Sequence, residues 1–181
     1  MSDWRQRAAA LARQLAALDG VDPQWATAFA EVPRHLFVPR FYADLDVPEA
    51  IDGADPDRRQ EWLDGVYRDE SLVTQYRLTP GTTDLWQSTS SSTRPSLMAR
   101  MLTLLDVHDD HRVLEIGTAT GYNAALLCHR LGSDNIASLD IDSELVDTAG
   151  QFLATLGYRP ALTAGDGAAG LAASLRNTRP T

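Results

Sequence analysis

Val113-Leu-Glu-Ile-Gly-Thr-Ala-Thr-Gly121 decides how this chain is read. An apolar, β-rich run from Arg112 to Ile116 carries one acid, Glu115, near its end. It passes into a turn bracketed by Gly117 and Gly121, then into a helix-like segment from Tyr122 to Leu131. The pattern is strand, tight turn, helix. The two glycines permit turn conformations and a close approach of backbone to a ligand. The helix start adds unpaired N–H groups and the positive end of its dipole.

Two ligand classes use such a turn. A dinucleotide fold requires G-x-G-x-x-G, with pyrophosphate on the helix N-terminus. With Gly117 as the first glycine, the third and sixth places hold Ala119 and Tyr122, so that pattern fails at two of three glycines. The alternative resembles the acidic-x-Gly-x-x-x-Gly turn of class I S-adenosylmethionine-dependent methyltransferases. Its ligand has a cationic amino acid end and no phosphate, which suits an acid at Glu115. An ordinary strand–turn–helix corner is the third reading.

Two later signals bear on that choice. Ile136-Ala-Ser-Leu-Asp140 reads as a second strand ending in a carboxylate, 19 residues after Gly121. A carboxylate there can accept from ribose hydroxyls; Asp140 is also placed to cap the next helix. Pro160-Ala-Leu-Thr-Ala-Gly-Asp-Gly167 reads as a third strand leading into a Gly-Asp-Gly corner. Asp166 there either accepts from an adenine amino group or belongs to a plain turn. The order and spacing of all three signals favour the cofactor reading.

The stretch from Glu115 to Leu127 resembles the cofactor loop of protein-L-isoaspartate O-methyltransferases. Val32-Pro-Arg-His-Leu-Phe-Val-Pro39 is similar to that family's V-P-R-x-x-F-V-P signature. Tyr67-Arg-Asp69 with Ser71-Leu72 resembles its Y-x-D segment, and Ser91-Ser-Thr-Arg-Pro95 its T-I-S-x-P segment. The likeness runs from about residue 25 to 170, with an inserted stretch at 43–64. The run from Ser90 to Met101 also resembles an actinobacterial branch associated with ATP-grasp ligases, which methylates aspartate in ribosomal peptides.

The resemblance implies an α/β, Rossmann-like class I methyltransferase fold that uses S-adenosyl-L-methionine. The residues expected to hold that cofactor are Ser91, Glu115, Gly117, Thr118, Ala119, Gly121, Tyr122, Asp140, Ile141, Asp166 and Gly167. Thr93 falls where the family carries an active-site serine, and Ser92 takes the isoleucine place. Both are the expected catalytic hydroxyls, although a Ser/Thr-rich cap before Pro95 explains them equally well. A substrate carboxylate is already ionised at neutral pH. Hydroxyls and N–H groups that orient it, with water kept out, would suffice. Expected partners are a peptide or protein carrying aspartyl or isoaspartyl residues.

The expected organisation is a helical and irregular cap over 1–94 and a cofactor domain over 95–181. Trp4, Ala8, Leu11, Leu15 and Leu18 share one helical face. Gly20 ends that helix, and Asp22-Pro23 starts the next. The polar stretch 44–69 reads as loop with one short helix. Trp62, Tyr67 and Trp86 line a cleft or serve as scaffold. Leu97, Met98, Met101, Leu102 and Leu105 form the apolar face of a helix from Pro95. Asp142-Ser143 caps a helix that Gly157 ends.

Three parallel strands are expected, at about 112–116, 135–140 and 160–164. The resemblance implies about seven, and Leu175-Arg-Asn-Thr-Arg-Pro-Thr181 shows no strand pattern. The first strand would then lack a neighbour on one side. The expectation is the N-terminal part of a methyltransferase: a shortened product, a degenerate copy, or a chain that another chain completes. A non-catalytic fragment that pairs with such a partner is the alternative function.

Composition fits a cytoplasmic enzyme. The 181 residues are 44% hydrophobic and 23% charged, ordinary for a globular domain. With 25 acids against 16 bases the formal charge is −9, which argues against nucleic acid as a partner. The four histidines show no ligand spacing, so no metal is expected. No apolar run reaches membrane-spanning length, and no secretory leader is apparent. Cys128 is the single cysteine and reads as a small buried residue.

Overall fold

The computed structural model describes residues 3–43, 49–82 and 85–169. The chain divides into a first unit ending at Val107 and a second beginning at His108.

The first unit starts with helix α1 (Asp3–Ala16), built from good helix formers. Asp3 lies in its first turn and Arg13 in its last, each matching the dipole. Ala8, Leu11, Ala12 and Leu15 are buried, as the spacing predicts. They pack on α2 (Pro23–Glu31). Asp22 caps α2 by accepting from the Gln24 N–H at 2.8 Å, and Pro23 opens it. Trp25, Ala28 and Phe29 of α2 are buried too.

A short helix α3 (Arg34–Phe37) leads into strand β1 (Arg40–Tyr42), then β2 (Ala50–Asp52) and helix α4 (Arg59–Val66). Strands β3 (Leu72–Leu78) and β4 (Trp86–Ser92) follow, then helix α5 (Pro95–Leu104). The four strands form an antiparallel sheet in the order β2-β1-β3-β4. The sequence predicts no strands here. β1 and β2 are three residues each, too short for a period, and β4 (Trp-Gln-Ser-Thr-Ser-Ser-Ser) has no apolar alternation. The register of β3 against β4 also slips between Val73 and Tyr76, which blurs the pattern further.

Helix α5 belongs with this first unit, which moves the division from residue 94 to 107. It packs on α1 and α2, and the Asp22 N–H donates to Thr103 Oγ1 at 3.1 Å. Met98 and Leu102 are buried as expected. Leu97, Met101 and Leu105, expected on the same buried face, are half exposed. Trp62 is buried, its indole N–H donating to Val38 O at 2.9 Å. Tyr67 is also buried, whereas Trp86 is 47% exposed.

The second unit is a three-stranded parallel sheet in the order β5-β6-β7. The strands β5 (Val113–Ile116), β6 (Ile136–Asp140) and β7 (Ala161–Ala164) lie where the sequence predicts them. Helices α6 (Tyr122–Leu131) and α7 (Ser143–Thr155) connect them. Asp142 caps α7, accepting from the Glu144 N–H at 3.0 Å. Gly157, at φ +80°, closes the far end, and the Tyr158 N–H returns to Leu153 O. Leu126, Leu127, Ile136, Leu139, Val146 and Leu153 form this unit's core. Cys128 is buried among them, and burial pushes its thiol pKa up to about 11, consistent with an inert packing role. Residues 175–181, expected to carry no strand, lie outside the described residues.

Candidate functional site

Parallel pairing places the ends of β5, β6 and β7 at one edge of the second unit's sheet. Leu114 pairs with Ala137, Ile116 with Leu139, and Asp140 with Ala164. Glu115, Asp140 and Asp166 therefore sit at the carboxyl ends of three successive strands. The turn after β5 is hooked to β6: the N–H groups of Gly117 and Thr118 both donate to Leu139 O, at 2.7 and 3.2 Å. The Gly121 N–H then donates to Thr118 O at 2.8 Å, closing the turn.

Three residues of this turn have left-handed backbones: Gly117 (φ +96°), Ala119 (φ +45°) and Gly121 (φ +83°). Where a Cβ would stand on Gly117 there is open space, so the outer side of the turn is accessible. Gly121 faces inward against Ala149 of α7. Thr118 and Tyr122 are buried beneath the turn. Thr118 Oγ1 is 2.7 Å from Ser138 Oγ.

Asp140 joins two loops. Its Oδ2 accepts from the Ala119 N–H at 2.8 Å and its Oδ1 from the Asp142 N–H at 3.0 Å. Each carboxylate oxygen retains a second acceptor direction. The following Ile141 is 79% exposed. Asp166 is exposed, and its Oδ1 accepts from the Ala168 N–H at 2.9 Å. The Gly165 N–H donates to Asp140 O at 2.8 Å, and a Cβ on Gly167 would meet Ile116 Cγ2 at 2.6 Å. The Gly-Asp-Gly corner is thereby fixed to the other two strand ends.

Glu115 does more internal work than the sequence reading assigned it. Its Oε1 accepts from Asn123 Nδ2 at 2.7 Å, and its Oε2 accepts from the Ser138 hydroxyl. Burial raises its pKa, with the Asp140 charge adding in the same direction; the bonds from Ser138 and Asn123 oppose the rise. Sequence reasoning missed Ser138 and Asn123. The available signal was Ser138 itself, a lone hydroxyl in an apolar strand.

The hydroxyls at 91–93 lie in the first unit. Ser91 and Ser92 end strand β4 rather than forming part of a cap, and Thr93 follows. Ser91 is exposed and Thr93 half-buried. Ser92 is 2% exposed, and its Oγ accepts from Arg34 Nη2 at 3.3 Å. Arg34 is fully buried. Its guanidinium also donates to the carbonyls of Val66, Arg68, Glu70 and Thr93, at 2.9–3.2 Å. It stitches the 66–70 segment to the 92–93 segment. In the sequence Arg34 stands out only as part of the Val32–Pro39 signature, with no sign of this hub.

Among the described residues, no group of three or more His, Cys, Asp or Glu is arranged to hold a metal ion. No helix among them is long and apolar enough to cross a membrane.

A parallel β-α-β-α-β sheet with a glycine-bracketed first turn defines this second unit as the class I methyltransferase fold. Residues 56–175 match the family model described as protein-L-isoaspartate(D-aspartate) O-methyltransferase, and the chain belongs to that family. It is 33% identical over 154 residues to protein-L-isoaspartate O-methyltransferase 2 of Shewanella sediminis (strain HAW-EB3), covering 85% of this chain and 49% of that protein. It is 31% identical over 145 residues to protein-L-isoaspartate O-methyltransferase 1 of Archaeoglobus fulgidus, covering 79% and 52%. A solved protein-L-isoaspartate O-methyltransferase superposes with a TM-score of 0.60 at 26% identity, over 90% of this chain and 42% of that one. The chain thus spans about half the length of the curated relatives it matches.

Proposed function

We propose that this chain takes part in S-adenosylmethionine-dependent O-methylation of a carboxylate, aspartyl or isoaspartyl, in a cytoplasmic protein or peptide. One observation carries the reading: Glu115, Asp140 and Asp166 stand at the ends of three adjacent parallel strands, around a turn whose outer side is open at Gly117. The acids suit a cationic ligand without phosphate. Asp140 would take the ribose hydroxyls on its remaining lone pairs, Asp166 the adenine amino group, and exposed Ile141 the adenine face. The backbones of Gly117 to Gly121, with Tyr122 and Gly167, would line the remainder. Glu115 would act chiefly by fixing Asn123 and Ser138 beneath the turn.

When bound, S-adenosylmethionine supplies a methyl group already activated on a sulfonium. The chain's own task is to orient an ionised carboxylate and exclude water. The Thr93 hydroxyl has no partner among the described residues and would donate to the substrate carboxylate. Ser92, buried on Arg34, would brace that segment.

The test is methyl transfer from labelled S-adenosylmethionine to isoaspartyl and aspartyl peptides, preceded by calorimetric titration of the cofactor. Saturable heat and transfer to either peptide support the proposal. Absence of both in folded protein overturns it.

A second reading, a non-catalytic module that pairs with another chain, is favoured by β5. Among the described residues that strand is at the edge of its sheet, with Leu114 40% and Ile116 65% exposed. Stable association with a partner and no cofactor heat would support it.

A further inference from the structure

Arg94 and Arg100 border one cavity of about 450 Å3 in the first unit, and neither guanidinium has a carboxylate partner among the described residues. Asp69, Ser71 and Ser96 also line it, with Leu18 and Leu97 supplying apolar wall. The start of α5 is already satisfied: the Arg94 N–H donates to Ser71 Oγ at 3.1 Å and the Ser96 N–H to Asp69 Oδ1 at 2.7 Å. What faces the cavity is therefore side-chain chemistry. Two guanidiniums and the hydroxyl protons of Ser71 and Ser96 lack acceptors among the described residues. Asp69 is the one carboxylate at the rim, and one of its oxygens is held by the helix.

Donors in such excess call for an anion, and guanidinium groups match carboxylates in fork geometry. The volume lies within the range of ligand pockets, roughly 300–1,000 Å3. Leu18 and Leu97 suit the methylene stem of an acidic side chain. The Asp69 charge tells against a dianion such as phosphate more than against a monoanionic carboxylate. The cavity also directly follows Thr93 in the chain. A cationic pocket in a chain of net charge −9 is a local feature of these residues, not a consequence of composition.

We propose that this cavity binds an acidic side chain of the peptide substrate, a Glu or Asp flanking the residue to be methylated. The inference rests on the proposed peptide methylation and names the substrate's charge. The test uses the full chain and two fluorescein-labelled peptides that share one aspartate and carry either Glu or Gln beside it. Anisotropy should show the Glu peptide bound at least about tenfold more tightly. In the Arg94→Gln/Arg100→Gln double variant the preference should fall below about twofold, while Arg112→Gln should keep it. Both peptides are measured on all three proteins, each with unchanged melting behaviour. Millimolar inorganic phosphate should not displace the peptide. Equal affinities in the wild type, a preference that survives the double substitution, or displacement by phosphate would each overturn the inference. Cofactor titration on the same samples separates the two ideas. Loss of cofactor binding with Glu discrimination intact removes only the methylation reading. Methyl transfer with equal peptide affinities removes only this one.

Discussion

Gly121 and Ala149 are in backbone contact distance: a Cβ on Gly121 would lie 2.8 Å from Ala149 Cβ and 3.3 Å from Ala149 Cα. This contact lets helix α7 sit against the turn that opens α6. Gly121→Ala would add both a steric conflict and a left-handed alanine. Overpacking of this kind costs about 1–3 kcal/mol, and the backbone strain adds about 1–2 kcal/mol. Urea unfolding should show the combined loss. A variant with unchanged midpoint would mean that α7 moves aside freely.

Ala119 is the opposite case. It holds φ +45° without being glycine, fixed there by its N–H bond to Asp140 Oδ2. Ala119→Gly should relieve that strain and stabilise the protein by about 1 kcal/mol, net of the entropy glycine adds to the unfolded chain. Chemical denaturation measures it; a destabilised variant would show that the methyl group packs usefully.

Asp140→Asn keeps shape but presents an NH2 to one of two backbone donors. The expected loss of stability is about 1–3 kcal/mol. Affinity for S-adenosylmethionine should fall at least about tenfold if the ribose assignment holds. Unchanged calorimetric affinity in folded variant would remove that assignment.

Glu115→Gln tests whether the acid acts as a scaffold. Burial raises the native pKa of Glu115, so its contribution to stability is complete below the unfolded value and declines as pH rises toward the native one. The neutral amide has no such dependence. Stability of the Gln variant relative to wild type should therefore increase with pH above about 4.5. A gap that shrinks instead would show that the ionised carboxylate is favoured where it stands.

His35 gives a second pH signature. Burial and the nearby Arg59 charge lower its pKa to about 4, and its Nδ1 lies 2.8 Å from Tyr67 OH. Unfolded chains take up this proton near pH 6.5, while the native ring stays neutral until about pH 4. Stability linked to His35 is thus present at neutral pH and is lost as pH falls through that window. The ring is part-exposed, so screening limits the loss to about 1–2 kcal/mol. Melting curves of His35→Gln against wild type should converge toward pH 4.

The parallel sheet was legible because its strands are short apolar runs ending in acids and separated by well-punctuated helices. Asp142 and Gly157 marked both ends of α7 correctly. The antiparallel sheet was not legible, since β3 and β4 are stabilised by pairing with each other and carry polar residues on both faces. The expected cofactor turn could be outlined from Gly117, Gly121 and Asp140. The bonds that hold it, from Asn123 and Ser138 to Glu115, arise only when residues 8 and 23 positions apart meet in space. Ser92 illustrates the limit: its place beside Thr93 was visible, but its burial under Arg34 was not.

Arg34 also bears on the order in which the first unit assembles. Its guanidinium closes bonds to residues 32 to 59 positions further along the chain. Such closures come late, after the entropy of the intervening loop has been lost. The N-terminal helices and the β3–β4 pairing are more local and can form before the arginine is enclosed. Refolding of this unit should be limited by that final enclosure rather than by helix growth.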